Sequence, residues 1–211
     1  MNHRIAKSDS GMGATTGARR IAIIAGWLCC ASFSVEAWEI TITPGARTVY
    51  LAVGNATTDA ANATINLVSV TVPANVVGTG VAQAMTSDST QANSPYDGFT
   101  VCVPPNQVYI GGYFRRPGTP PELATLQVTT PATLTNGADT IPFAQISWTS
   151  TALGNPTADI PAGTFNGGTL FLRNINRNTY VENCHTFTYA NTNLVAPGVY
   201  NGRATYTLTA P

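Results

Sequence analysis

The residues best suited to chemistry are few. His185 stands beside Cys184, and a histidine near a nucleophile and an orienting acid is the core of a hydrolytic triad. Adjacent residues of a strand point to opposite faces, however, so Cys184 and His185 do not meet directly if the segment is extended. A packing or hydrogen-bonding role is the simpler expectation for this histidine. Paired carboxylates would serve glycoside hydrolysis. Here the acids are scattered, and Asp59, Asp88, Asp97 and Asp139 lie in stretches rich in Gly, Ser, Asn and Thr, where Asp typically caps turn amides. No acids alternate as in a calcium loop, and no Gly-rich phosphate loop ends in Lys. No cofactor is therefore expected. The doublet Arg115-Arg116 follows Gly111-Gly112-Tyr113-Phe114 and could grip a sulfated or phosphorylated ligand; a solvated hairpin end is the plainer reading. Tyr109, Tyr113, Phe114 and Trp148 could form a stacking platform for a sugar, with Tyr113, Arg115 and Trp148 as glycan contacts, or could simply be core.

The N-terminal segment sets the compartment. Residues 1–20 carry Arg4, Lys7, Arg19 and Arg20; residues 21–30 are apolar; small residues follow up to Ala37. A basic region, a short apolar core and a small residue before the cut describe a secretory signal over residues 1–37. The apolar core is shorter than the roughly 20 residues that span a bilayer. The residues around Arg19-Arg20 fit a twin-arginine signal poorly, and Met12 offers a second start. Leu28 before Cys29 does not suit a lipid anchor. The expected product is secreted, passing through a periplasm to the surface or medium, with no membrane span once the signal is removed.

Removing the signal changes the charge. The 211-residue chain has ten basic and ten acidic residues, but residues 38–211 hold six Arg, no Lys and eight acids, a net charge of −2. That composition disfavours nucleic acid, whose phosphates demand basic excess. Two cysteines remain, Cys102 and Cys184, and in an oxidising compartment they most simply form one disulfide. A metal-binding thiol is the competing reading, yet His185 is the one other soft ligand left. A chain of 174 residues suits one domain, 38–211.

The elements that must hold these residues are strands. Of 32 Thr, 30 follow Ala37, and branched side chains favour pleated surfaces. Helical periodicity is nearly absent; its nearest instance, Val76 to Met85, contains Gly78 and Gly80. Alternation predicts strands over 38–43, 49–53, 65–72, 99–103, 107–115, 124–129, 146–149, 168–173, 179–189 and 198–211. In 179–189, Tyr180, Glu182 and Cys184 share one parity, whereas Val181, His185, Phe187 and Tyr189 take the other. That pattern requires a bulge or a strand buried on both faces. Short strands separated by Gly, Pro and Asn indicate an antiparallel sandwich or barrel.

The ending Pro197-Gly198-Val199-Tyr200, running on through an alternating strand to Pro211, resembles the last strand of pilin-type domains. The alternating segment Trp38–Thr43 after the signal resembles the N-terminal extension of such subunits. Together with one disulfide and sparse charge, the chain is similar to chaperone–usher fimbrial subunits and spore-coat-U-like proteins. The resemblance implies an immunoglobulin-like sandwich and a non-enzymatic structural subunit of a surface fibre or coat. It implies as partners copies of the chain or related subunits, a periplasmic chaperone and an outer-membrane usher. Assembly would proceed by strand addition, with Trp38, Ile40 and Ile42 entering a neighbour. Segment 48–54 is an alternative donor, or the first strand of a complete domain. The other function class that fits is a complete monomeric secreted sandwich binding a glycan or a protein.

Overall fold

The computed structural model describes residues 40–55, 66–118, 121–153 and 156–211. The export signal expected over 1–37, and Trp38 with it, lies outside the described residues. All that are described belong to one compact unit, Val35–Pro211.

The chain is all-β. Its strands are β1 (Ile40–Thr41), β2 (Thr48–Val53), β3 (Val68–Ser69), β4 (Gln83–Ala84), β5 (Thr86–Ser87), β6 (Val108–Arg115) and β7 (Leu123–Thr129). There follow β8 (Thr133–Asn136), β9 (Asp139–Pro142), β10 (Ile146–Ser150), β11 (Gly163–Thr164), β12 (Thr169–Asn176), β13 (Thr179–Tyr189) and β14 (Thr205–Thr209). The larger sheet runs β11-β10-β13-β6-β2, with β1 and β4 also paired to β13. The smaller runs β12-β7-β14. All the described strand pairings are antiparallel, and one isolated bridge, Phe114 with Arg177, is parallel. The two sheets enclose one core, in which Leu126, Val128, Leu172 and Ile175 of the small sheet join Ile110, Trp148, Val181 and Phe187 of the large one. The architecture is an antiparallel β-sandwich.

β13 organises the large sheet. On one side its residues 179–184 pair with β6 without a register break; on the other, 179–180 pair with β1 and 185–189 with β10. Nearly every residue of β13 is buried. The mixed parity of 179–189 is thus resolved as a strand covered on both faces, with no bulge. Val181, Phe187 and Tyr189 enter the inter-sheet core. Tyr180 and Cys184 enter a second cluster on the outer face with Ile42, Tyr50, Ala52, Cys102 and Tyr109.

Several expectations change in extent. Strand 179–189 is found at its expected bounds, while 198–211 shrinks to β14. Of the described residues 66–72 only Val68–Ser69 pairs, with β5, and 99–103 is loop apart from a bridge between Thr100 and Asn93. Residues 76–80 form turns held by Asn191, whose side chain binds Gly78 N–H and the Val76 carbonyl. A hairpin, β8–β9, closes through Gly137-Ala138 with Asn136 opposite Asp139. Gly137, at φ 60°, takes the first central position of that two-residue turn, where glycine is preferred.

Candidate functional site

Three features can carry function: the covered outer face of the large sheet, the outer face of the small one, which no described strand covers, and the edge strand β14.

On the first, Cys102 and Cys184 are disulfide-bonded, with Cα atoms 5.6 Å apart and 82 residues between them in sequence. The bond pins the loop before β6 onto β13. Beneath that loop, Tyr109 donates to Glu182 Oε2 at 2.8 Å, and the Tyr109 and Tyr180 hydroxyls are hydrogen-bonded. Tyr96 of the loop stacks on Tyr180 at 4.4 Å, and Tyr113 stacks on Tyr50 at 5.2 Å. The Tyr109 phenol folds back over Gly111, where a Cβ would lie 2.1 Å from its hydroxyl, so a larger residue there would have to displace this buried ring.

Burial sets the protonation of this cluster. It pushes the Glu182 carboxyl above its ordinary range, aided by the charge of Asp97 and opposed by hydrogen bonds from Ser94 and Tyr109. Burial also raises Tyr50 to about 12, and Tyr109 and Tyr180 further. The phenols therefore remain hydrogen-bond donors, not nucleophiles, and the network locks the loop to the sheet.

The expected site residues divide between faces. Tyr113 and Arg115 lie on the outer side of β6, where the Arg115 guanidinium packs against Gly45. Arg116 forms an ion pair with Glu122 at 2.9 Å. Trp148, expected as a glycan contact, lies in the inter-sheet core at 3% exposure, its indole N–H bound to the Pro161 carbonyl. It is separated from Tyr113 and Arg115 by the sheet itself. Tyr109 and Phe114 are likewise fully buried. Asp88 and Asp97 accept backbone N–H groups from Leu67 and Phe99, as turn-capping acids should.

His185 points into the core, away from Cys184's face. It stacks on Trp148 at 5.8 Å and meets Phe187 edge-on, and neither ring nitrogen has a hydrogen-bond partner among the described residues. Burial lowers its pKa to about 3, so the imidazole is neutral at physiological pH. The ring is fully shielded from solvent. Among the described residues no group of three or more His, Cys, Asp or Glu is placed to hold a metal ion. No described helix is long and apolar enough to cross a membrane.

The described part of the expected donor segment, 40–43, is folded into its own domain. Ile40 pairs with Tyr180 and Thr41 with Thr179, and Ile42 N–H binds the Asn178 carbonyl. Ile42 is buried in the outer cluster. Segment 48–53 pairs along β6 through six residues. Its inward residues Leu51 and Val53 pack on the main core.

The small sheet is different. Ala124, Leu126 and Val128 of β7 point inward, and Leu123, Thr125, Gln127 and Thr129 outward. Thr205, Thr207 and Thr209 of β14 are exposed opposite Thr129, Gln127 and Thr125. β14 is an edge strand, with no strand on its far side among the described residues. A shallow groove of about 440 Å³ runs beside Leu123, Thr125, Gln127, Thr209, Ala210 and Pro211. Set against family models, curated proteins and solved structures, the chain matches none of them.

Proposed function

We propose that the chain is an exported, non-enzymatic structural subunit of a bacterial surface fibre or coat that assembles by β-strand addition. The observation that carries this reading is the β14 edge. Thr205-Tyr206-Thr207-Leu208-Thr209 is uncharged and half exposed, and no described strand is hydrogen-bonded to its far side, although β2 of the other sheet lies close and Arg47 donates to the Ala210 carbonyl just past it. Monomeric proteins blunt such edges with charge, proline or a bulge. This strand has none of them. An added strand would satisfy its free backbone groups while its alternate side chains meet those of the neighbour.

The donor is the segment Trp38–Thr43. Its described residues, 40–43, are held by two paired residues, one further backbone bond and the burial of Ile42, so its release leaves the pairing of β13 with β6 and β10 in place. The sandwich and single disulfide support the pilin-like resemblance at the level of architecture. In this reading a periplasmic chaperone and an outer-membrane usher escort the chain to the surface.

The cis pairing of 40–41 and 48–53 favours a second reading, a complete secreted sandwich that binds a glycan or a protein as a monomer. One experiment separates them. The purified chain should form concentration-dependent oligomers by sedimentation. Deleting residues 38–43 should abolish them, and a peptide covering Trp38 to Gly54 should bind the shortened chain and raise its melting temperature. A monomer at every concentration, indifferent to that peptide, overturns the assembly reading.

A further inference from the structure

We propose that the outer face of the small sheet is a binding surface for an uncharged polysaccharide. This inference is independent of the assembly reading, since it concerns the face of the sheet and not its edge.

The face is built by register. β14 contributes Thr205, Thr207 and Thr209, and β7 contributes Thr125, Gln127 and Thr129 directly opposite. On the other flank, Thr169, Phe171 and Asn174 of β12 stand opposite Thr129, Gln127 and Thr125. β12 reaches this register through an irregularity between Phe171 and Arg173. The extra residue resets the alternation, so that Phe171 and Asn174 both face out while Leu172 and Ile175 are buried. It also moves Arg173 off the face, where it pairs with Asp159 at 2.6 Å. The result is an array with no Asp, Glu, Lys or Arg.

Within a strand the outward side chains repeat every ~6.7 Å, and between strands every ~4.8 Å. Threonine hydroxyls and the amides of Gln127 and Asn174 each donate and accept. The Thr129 and Thr169 hydroxyls are 2.9 Å apart, and Thr125 donates to Asn174 Oδ1 at 3.2 Å, so the array is already oriented. Phe171 rises from it at 58% exposure and Leu123 at 47%. The groove of about 440 Å³ beside Leu123 and Thr209 has the volume of a small-molecule site, roughly 300–1,000 Å³.

The charge balance selects the occupant. The one cation at its margin, Arg47, is engaged by the Ala210 and Pro211 carbonyls, and the array itself offers an anionic polymer or a nucleic acid no cation. A stable protein partner needs a cluster of buried apolar anchors, and two separated ones are present. A neutral polysaccharide presents hydroxyls on its edges and C–H groups on its ring faces. The hydroxyls exchange water for Thr, Gln and Asn, while the ring faces stack on Phe171 and Leu123. Binding of this kind should be insensitive to salt.

The test is co-sedimentation of the purified chain with microcrystalline cellulose, chitin and an insoluble β-1,3-glucan, with heparin–agarose as the charged comparison. Retention is expected on at least one neutral polymer, equal at low and high salt. Phe171→Ala should weaken it about tenfold, the effect of about 1.4 kcal/mol from one aromatic contact. Gln127→Lys, at the centre of the face, should do the same without touching the edge of β14. Tyr113→Ala, on the other sheet, should leave retention unchanged. Thermal melting of each variant checks its folding. No retention on any neutral polymer overturns the proposal. So does retention on heparin alone, or retention that Phe171→Ala and Gln127→Lys both leave intact.

Discussion

Acidification should unfold this protein through one residue. In the unfolded chain His185 titrates near its ordinary value of 6.5, whereas in the folded core its pKa is lowered to about 3. Between those values the unfolded state binds a proton that the native state does not. Stability contributed by the neutral imidazole is therefore intact above about pH 6.5 and is lost as pH falls toward 3. Each pKa unit corresponds to about 1.4 kcal/mol, so the full window is worth about 5 kcal/mol and the loss at pH 4.5 about 3. Such a loss is a large share of the 5–15 kcal/mol typical of a domain. The cause is geometric, because the ring is sealed between Trp148 and Phe187 with no hydrogen-bond partner described for either nitrogen. The assay is urea unfolding of the wild type and of His185→Leu at about pH 8 and about pH 4.5. Subtracting the two proteins removes the titrations they share. The variant should lose about 3 kcal/mol less than the wild type on acidification. At neutral pH it should be no less stable, since two unpartnered buried nitrogens are gone. Parallel losses in the two proteins would falsify the reasoning.

Two further outcomes follow from the outer face. Glu182 has its pKa raised by burial, so its contribution has the opposite sign: it is present below about pH 4.5 and is lost as pH rises through the raised value. Glu182→Gln should flatten that decline in a pH series of thermal melts, and an unchanged slope would show the carboxyl to be solvated. Replacing Cys102 and Cys184 by Ser removes a link across 82 residues and should cost about 4–5 kcal/mol in guanidinium unfolding. A loss below about 1 kcal/mol would mean that the loop is held by the tyrosine network instead.

The strands of the sandwich were legible where period-two alternation coincided with a buried face. β7 and β10 are of this kind, each burying its alternate apolar side chains, whereas β2 buries Tyr50 and Ala52 on the face opposite Val49, Leu51 and Val53. β13 was legible in extent but ambiguous in phase, because a strand covered on both sides carries two apolar patterns at once. Segment 99–103 alternates like a strand, yet Cys102 is tied to Cys184, Phe99 N–H is held by Asp97, and its backbone partners, Ala92 and Ser94, lie within its own loop. Trp148 shows why aromatic type alone does not locate a surface: the residue is fixed in the core by the register of β10 on β13. The Tyr109–Glu182 pair joins residues 73 apart in sequence, and no local spacing announces it. The threonine face was visible only as composition. It became a surface when β7 was found between β12 and β14.

The pairing of Cys184 with Cys102 bears on more than the tethered loop. β13 presents Tyr180, Glu182 and Cys184 on one side and Val181, His185 and Phe187 on the other, and both sides are buried. Sliding the strand by a single residue would exchange the two sets, and burial of apolar surface on each side gives a poor signal against that error. The covalent bond supplies the signal, because only one phase of β13 brings Cys184 to the side on which Cys102 waits. Oxidation thus acts as proofreading of sheet alignment: a chain that closes this bond has already selected which half of its central strand faces each layer.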